Sequence, residues 1–281
     1  GAWITKRLSA DGVRVRVCAR HQPVTQAFAN TETVITDVRD ARSVARALEG
    51  CDAAINAVGL YVERGAETFA AIHEDGALHV AQQCAERGID KLIHLSGIGA
   101  DETSASSYVR SRARGERLVR EALPETTILR PSVLFGPDDR FINTLAKIIR
   151  HAPVVPLFGR GLTKLQPVYV DDVASAASGA LLDPAAKGKT YELGGASTLT
   201  YKTILQLVMA RLHKRRLLVP LPFIAWDTIA AISALLPTSP VTRDQIALMK
   251  QDNVVSETAL SFGDLGIEPA ALEDVLPDYA F

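Results

Sequence analysis

The sequence predicts an α/β fold in which a doubly wound parallel sheet is covered by helices on both faces. Two patterns carry that expectation. From residue 13 to about 136, short β-branched runs alternate with longer segments whose apolar residues recur at helical spacing. The connections are short, and runs of this kind belong in a parallel sheet whose crossovers are helices. The bulk numbers agree: 281 residues with 47% hydrophobic and 22% charged side chains can bury a sizeable core.

Taken in order, residues 2–10 (AWITKRLSA) read as a helix that passes through Asp11-Gly12 into a strand, VRVRVCA (13–19). The next strands are TVITDV (33–38), AAINAVG (53–59), KLIHLSG (91–97) and TTILRPSVLFG (126–136). Between them ARSVARALEG, TFAAIHEDGALHVAQQCAERG and SYVRSRARGERLVREAL read as helices. A chain that opens on the helix of a βαβ unit lacks that unit's first, central strand. The strands at 13 and 53 are therefore not expected to pair directly, and about ten further residues are expected ahead of Gly1. Beyond residue 136, DDRFINTLAKIIRHA and YKTILQLVMARLHKRR look helical, and VVPLFGRG and KLQPVYV look extended. DDVASAASGALLD reads as a helix opened by Asp171 or Asp172, whose carboxylate would cap its free N–H groups.

With 31 basic and 32 acidic residues the net charge is −1, which argues against nucleic acid as a partner. Cys18, Cys51 and Cys84 lie far apart, and the six histidines form no HxxxH or HExxH pair, so no metal site is expected. His94, inside an apolar strand, reads as a satisfied core imidazole. Unpaired thiols suit a reducing compartment, here the cytoplasm. The basic run RLHKRR (211–216) precedes the apolar LLVPLPFIAWDTIAAISALLP (217–237), whose helical part after Pro222 is too short to span a bilayer. Residues 211–237 suit a helix packed on the core or over a cleft. They also suit a hydrophobic partner or a membrane surface met through Trp226, which would make the protein peripheral to a membrane.

The segments GAWITKRL, DVRD, INAVG, HLSGIGAD, YVRSRARGE, LRPSVLFGPDDRF, PLFGRGLTKLQPVYVDDVA, YELGG and TRDQIALMKQDNVV, in this order, resemble the extended, atypical short-chain dehydrogenase/reductases of epimerase/dehydratase type. The resemblance is closest to the group containing the nucleotide-binding accessory subunit of respiratory complex I and its bacterial relatives. It implies a Rossmann domain formed by residues 1–136 plus roughly 166–190, and a smaller interleaved α/β domain for substrate or partner, roughly 137–165 and 191–281. It also implies a nicotinamide dinucleotide. Gly1 falls at the third glycine of the family's phosphate turn, and Arg20, followed by His21, falls where the adenosine ribose is read. A cation there suits a 2′-phosphate, so NADP(H) is preferred, with NAD(H) as the alternative. By the same resemblance Asp37 and Val38 border the adenine, Ala57, Val58 and Gly59 pass beneath the ribose and pyrophosphate, and Pro131, Ser132 and Val133 lie near the nicotinamide.

The family's enzymes pair a tyrosine acid/base with a lysine four residues on, together with a serine or threonine that bonds the substrate oxygen. Here Tyr108 is followed at that spacing by Arg112, and the serine position falls on Gly97, with Ser96 one residue early. The set Tyr108, Arg112 and Ser96 thus reads as a degraded site, in which Tyr108 and Arg112 still face the cofactor. Two functions follow: a structural or assembly-type nucleotide-binding protein, or an active oxidoreductase or epimerase on a small, sugar-nucleotide, lipid or quinone-like substrate.

Overall fold

In a computed structural model of the chain, which describes residues 1–21, 28–233 and 242–281, the first element is helix α1 (Ala2–Ala10). Ile4 and Leu8 bury one side of it, and Gly12, at φ +78°, turns the chain toward β1 (Val15–Ala19). β1 pairs in parallel with β2 (Thr31–Ile35), Val15 opposite Thr31. β2 begins two residues before the TVITDV run and stops short of Asp37, because Asp37–Asp40 form the turn into α2 (Ala41–Ala47). The Asp40 carboxylate caps that helix by accepting from the Arg42 N–H at 2.9 Å. Next come β3 (Ala54–Asn56), a π-helical turn at Ala70–Asp75 that runs into α3 (Gly76–Glu86), β4 (Leu92–Leu95), α4 (Ser107–Ala122) and β5 (Thr127–Pro131). Gly115 lets α4 lie against the π turn. A Cβ there would stand 2.0 Å from the His73 carbonyl oxygen.

The expected single strand at 126–136 is broken at Ser132–Val133, where the backbone changes partner. The Ser132 N–H still donates to the Leu193 carbonyl, whereas the Val133 carbonyl accepts from Val168. β6 (Leu134–Phe135) is followed by α5 (Phe141–His151), β7 (Val154–Phe158), β8 (Lys164–Leu165), β9 (Val168–Tyr169), α6 (Val170–Leu182) and β10 (Thr190–Leu193). α6 starts one residue before the acidic pair, so Asp171 and Asp172 occupy its first turn and neither is the cap. Asp171 ion-pairs with Arg7 at 3.1 Å. Then come β11 (Leu199–Thr200), α7 (Tyr201–Arg211), β12 (Leu217–Leu221), α8 (Phe223–Ser233), α9 (Arg243–Leu248) and α10 (Leu272–Val275). α7 ends at Arg211, earlier than the helical pattern through Arg216, because the chain turns at His213 with φ +51°.

These elements divide into two units. The first comprises residues 1–130, 171–192 and 259–267. It holds the four-stranded sheet β10-β5-β4-β3, parallel through β3, β4 and β5, and the β1-β2 ladder. Among the described residues β1 pairs only with β2, and β3 only with β4. Val44, Ala77, Val80, Cys84, Leu92 and Val119 form an apolar cluster where α2, α3 and α4 pack.

The second unit comprises residues 131–170, 193–258 and 268–281. Its core joins Ile142, Leu145 and Ile149 of α5 to Ile204, Leu205 and Val208 of α7 and to Leu272, Val275 and Tyr279. The buried Tyr279 hydroxyl donates to the Asp139 carboxylate and accepts from the Gly136 N–H at 2.6 Å. Arg211 holds the same segment by donating to the carbonyls of Leu276, Pro277 and Tyr279.

Of the two readings of residues 211–237, Trp226 follows the core-packing one. Trp226 is buried against Phe158, ring centroids 4.4 Å apart, and its Nε1–H donates to the Leu157 carbonyl. Arg216 donates to the last carbonyls of α5, Ile149 and Arg150. Lys214, Arg215, Ile224 and Ile232 remain exposed, and residues 234–237 of the segment lie outside the described residues. No helix among the described residues is long and apolar enough to cross a membrane.

Candidate functional site

The C-terminal ends of β1, β3 and β4, all in the first unit, carry two groups of side chains with opposite characters. At the end of β1, Arg20 forms an ion pair with Glu67, both side chains about one third exposed (35% and 34%). Beside them the Arg39 Nε donates to both Asp37 carboxylate oxygens at 3.0 Å, and Arg39 reaches the Ala66 carbonyl at 3.4 Å. The hydrogen bonds from Arg39 hold the Asp37 carboxyl below its ordinary range, and those from Arg20 do the same for Glu67. His21 is exposed. The Val38 carbonyl accepts from His79 Nδ1 at 2.8 Å, and its side chain packs so close to Gly76 that a Cβ there would lie 2.8 Å from it. Gly1 is exposed at the start of α1, with nothing within 4 Å of where a Cβ would be.

The second group centres on the buried Arg112 and Ser96, with Tyr108 partly buried. Tyr108 and Arg112 lie on one face of α4, as the i, i+4 spacing requires, with the guanidinium carbon 5.5 Å from the Tyr108 ring centroid. Arg112 is only 7% exposed. Its Nη1 donates to the Leu95 carbonyl at 3.0 Å, while its Nε has no hydrogen-bond partner among the described residues. The guanidinium presses against Gly59, where a Cβ would stand 2.4 Å from Nη2. Glycine is therefore what makes room for the arginine. Ala57 is partly covered, and Val58 and Gly59 are exposed beyond β3. Ser96, next to Leu95, is buried, its N–H donates to the Leu129 carbonyl, and its Oγ has no partner among the described residues.

Two histidines that sequence reasoning gave no functional weight complete this floor. The His73 Nε2 accepts from the Leu60 N–H at 2.9 Å, so its proton sits on Nδ1, which donates to Ser111 Oγ at 2.8 Å. Ser111 in turn donates to the Tyr108 carbonyl. Burial first, then the Arg112 charge, pushes His73 down to about 2. The same two causes push His94 down to about 3, and its Nδ1 accepts from the Asn56 side-chain amide at 3.2 Å. His94 is thus a core imidazole, as its apolar strand suggests. The Tyr108 ring stacks on Tyr61 and meets Phe69 and His73 edge-on.

Pro131, Ser132 and Val133 belong to the second unit. There Ser132 is buried and its hydroxyl donates to the Asn253 side-chain oxygen at 2.6 Å. Among the described residues no group of histidine, cysteine or carboxylate side chains could hold a metal ion. Sequence reasoning missed Glu67, His73, Tyr61 and Ser111, which sit in a loop, a π turn and a helix with no motif spacing to single them out.

Comparison with known proteins adds a family to this geometry. The model described as the NAD dependent epimerase/dehydratase family matches residues 1–194. The chain is 31% identical over 287 residues to the mitochondrial NADH-ubiquinone oxidoreductase 40 kDa subunit of Neurospora crassa, which covers 99% of this chain and 75% of that protein. It is 32% identical over 295 residues to the mitochondrial NADH dehydrogenase [ubiquinone] 1 alpha subcomplex subunit 9 of Arabidopsis thaliana, covering 97% of this chain and 72% of that one. Among solved structures, the UDP-glucose 4-epimerase of Thermus thermophilus, in complex with NAD, superposes with a TM-score of 0.70 at 20% identity. That match covers 99% of this chain and 93% of the epimerase, and it speaks to the fold alone.

Proposed function

This chain belongs to the NAD dependent epimerase/dehydratase family, and from that premise we propose that it holds NADP(H) as a structural ligand within an accessory or assembly component of an NADH dehydrogenase-like complex. The observation that carries the reading is the state of Arg112. The family's clamp is a compact lysine ammonium, whereas this planar guanidinium is buried behind Gly59, commits Nη1 to the Leu95 carbonyl and lies over the Tyr108 ring. The adenosine half fits a dinucleotide better. The exposed backbone at Val58–Gly59 leaves room for a ribose and pyrophosphate, and Arg20 supplies a cation at the end of β1 for a 2′-phosphate. A bound dinucleotide supplies hydride chemistry where a proton relay exists beside it, and stabilisation where none does. A ligand present at a hundred times its Kd stabilises by roughly 2.7 kcal/mol without any turnover. The exposed Ile224 and Ile232 of α8, with the exposed Lys214 and Arg215 earlier in the same stretch of chain, are what we assign to a hydrophobic partner or to a membrane to which the protein is peripheral.

One observation favours the alternative, an active oxidoreductase or epimerase: the Ser96 hydroxyl, which has no partner among the described residues and could donate to a substrate oxygen. The test is to extract nucleotide from purified protein and follow NADPH absorbance over hours with a quinone and with a carbonyl compound as hydride acceptor, for the parent chain and for Tyr108→Phe and Arg112→Lys. The structural reading expects NADP(H) in the extract, no oxidation, and unchanged occupancy in Tyr108→Phe. Oxidation that Tyr108→Phe slows by about 10² or more would overturn it in favour of the enzyme.

A further inference from the structure

Four charges at the end of β1 cancel one another: Arg20 with Glu67, Arg39 with Asp37. A phosphate monoester carries close to two negative charges at neutral pH. As these two pairs stand, they offer it no surplus positive charge. Glu67 is also not a loose surface residue. Arg64 and Glu67 exchange two backbone hydrogen bonds of 2.9 Å, and the Glu63 carboxylate accepts from the Phe69 N–H at 2.7 Å, closing the loop that carries Glu67. The Arg39 bond to the Ala66 carbonyl ties that loop to the same cluster. With Glu67 withdrawn, two guanidinium groups would face one carboxylate.

We propose that Glu67 is a cofactor-specificity gate: its carboxylate occupies Arg20 in place of the 2′-phosphate of NADP(H) and must give way before that phosphate binds. The proposal rests on the dinucleotide reading above and names a residue that tunes it. Glu67 acts against the phosphate twice, by engaging the guanidinium and by repelling the incoming charge, whereas the uncharged 2′-hydroxyl of NAD(H) meets no such repulsion. Removing the carboxylate therefore shifts one cofactor and not the other.

The experiment is a fluorescence titration of the full chain with NADPH and with NADH, for the parent and for Glu67→Gln, with Glu67→Ala as a second variant in case the amide retains the Arg20 contact. Glu67→Gln should tighten NADPH by about tenfold while NADH changes by less than about twofold. Raising the salt to about 0.5 M should shrink the NADPH gain, since the effect is between partly exposed charges. If the parent binds NADPH and neither variant binds it tighter, the gate is wrong while the dinucleotide reading stands. Weaker NADH binding in both variants would also overturn the gate, because it would put Glu67 on the ribose hydroxyl. If neither parent nor variants bind either dinucleotide, the reading beneath the gate falls, and the gate with it.

Discussion

Arg20 and Arg112 are the same side chain in opposite situations within one unit. Arg20 is about one third exposed and answers a carboxylate. Arg112 is 7% exposed and answers a carbonyl and an aromatic ring. The rim charge can exchange partners at little cost, because water solvates whatever is released. The buried charge cannot, and it dictates the protonation of its neighbours: His73 and His94 are held neutral by burial and by the cation beside them. A cation at the rim is therefore able to change partners, and one at the floor belongs to the architecture.

The largest consequence of that contrast is acid sensitivity. Both histidines have folded-state values far below the ordinary 6.5, at about 2 and about 3. Between those values and 6.5 the unfolded chain takes up protons that the folded chain refuses. Stability is thus fully present above about pH 6.5 and falls as the pH drops through the window below it. Two such groups should cost roughly 4 kcal/mol between pH 7 and pH 5, measurable as the urea unfolding free energy at each pH. Histidine proton resonances that titrate near pH 6 at both positions would break the comparison.

At the rim, Arg20→Asp should weaken NADPH by about a hundredfold and leave NADH within a few-fold, read by the same cofactor titration. Equal loss for both cofactors would remove Arg20 from the 2′ position. At the floor, Gly59→Ala forces the Arg112 guanidinium to move, since the new methyl would stand 2.4 Å from Nη2. The obstacle is the far end of a flexible side chain, so the cost should be about 1–3 kcal/mol, with loss of the Leu95 contact as its main cause. Arg112→Met in the same background should relieve part of it. The smallest effect should be that of Glu67→Gln on stability, a melting midpoint within about 2 °C of the parent, because an exposed pair contributes little to folding. A large drop there would mean the rim is as structural as the floor.

How much of this could be read from the sequence depended on whether the information was periodic. The parallel sheet and its helices follow from alternating periods, and the Tyr108–Arg112 face follows from i, i+4 geometry. The exchange of lysine for arginine was visible as a letter, but the burial of Arg112 was not, because it depends on Gly59, 53 residues away, having no side chain. The Arg20–Glu67 pair joins a strand end to a loop, and no spacing rule links them. Trp226 left two readings open for a related reason: an apolar residue after a basic run looks the same whether it faces a bilayer or, as here, the Leu157 carbonyl. Asp171 shows the ordinary limit of boundary reading, an acidic residue expected at the cap and found inside the first turn.

The Tyr279 latch has a consequence for synthesis. Its hydroxyl bonds join residues 140 and 143 positions apart, and the same stretch supplies Leu272, Val275 and Leu276 to the core of the second unit. At a translation rate of about 5–20 residues per second, roughly 7 to 28 s separate the appearance of Asp139 on the ribosome from that of Tyr279. Through that interval the inner faces of α5 and α7 lack their closing layer. Contacts of such long sequence separation form late, because loop closure must be met before they stabilise anything. The nascent second unit should therefore be a chaperone client whose dependence ends only when residues 272–279 have emerged.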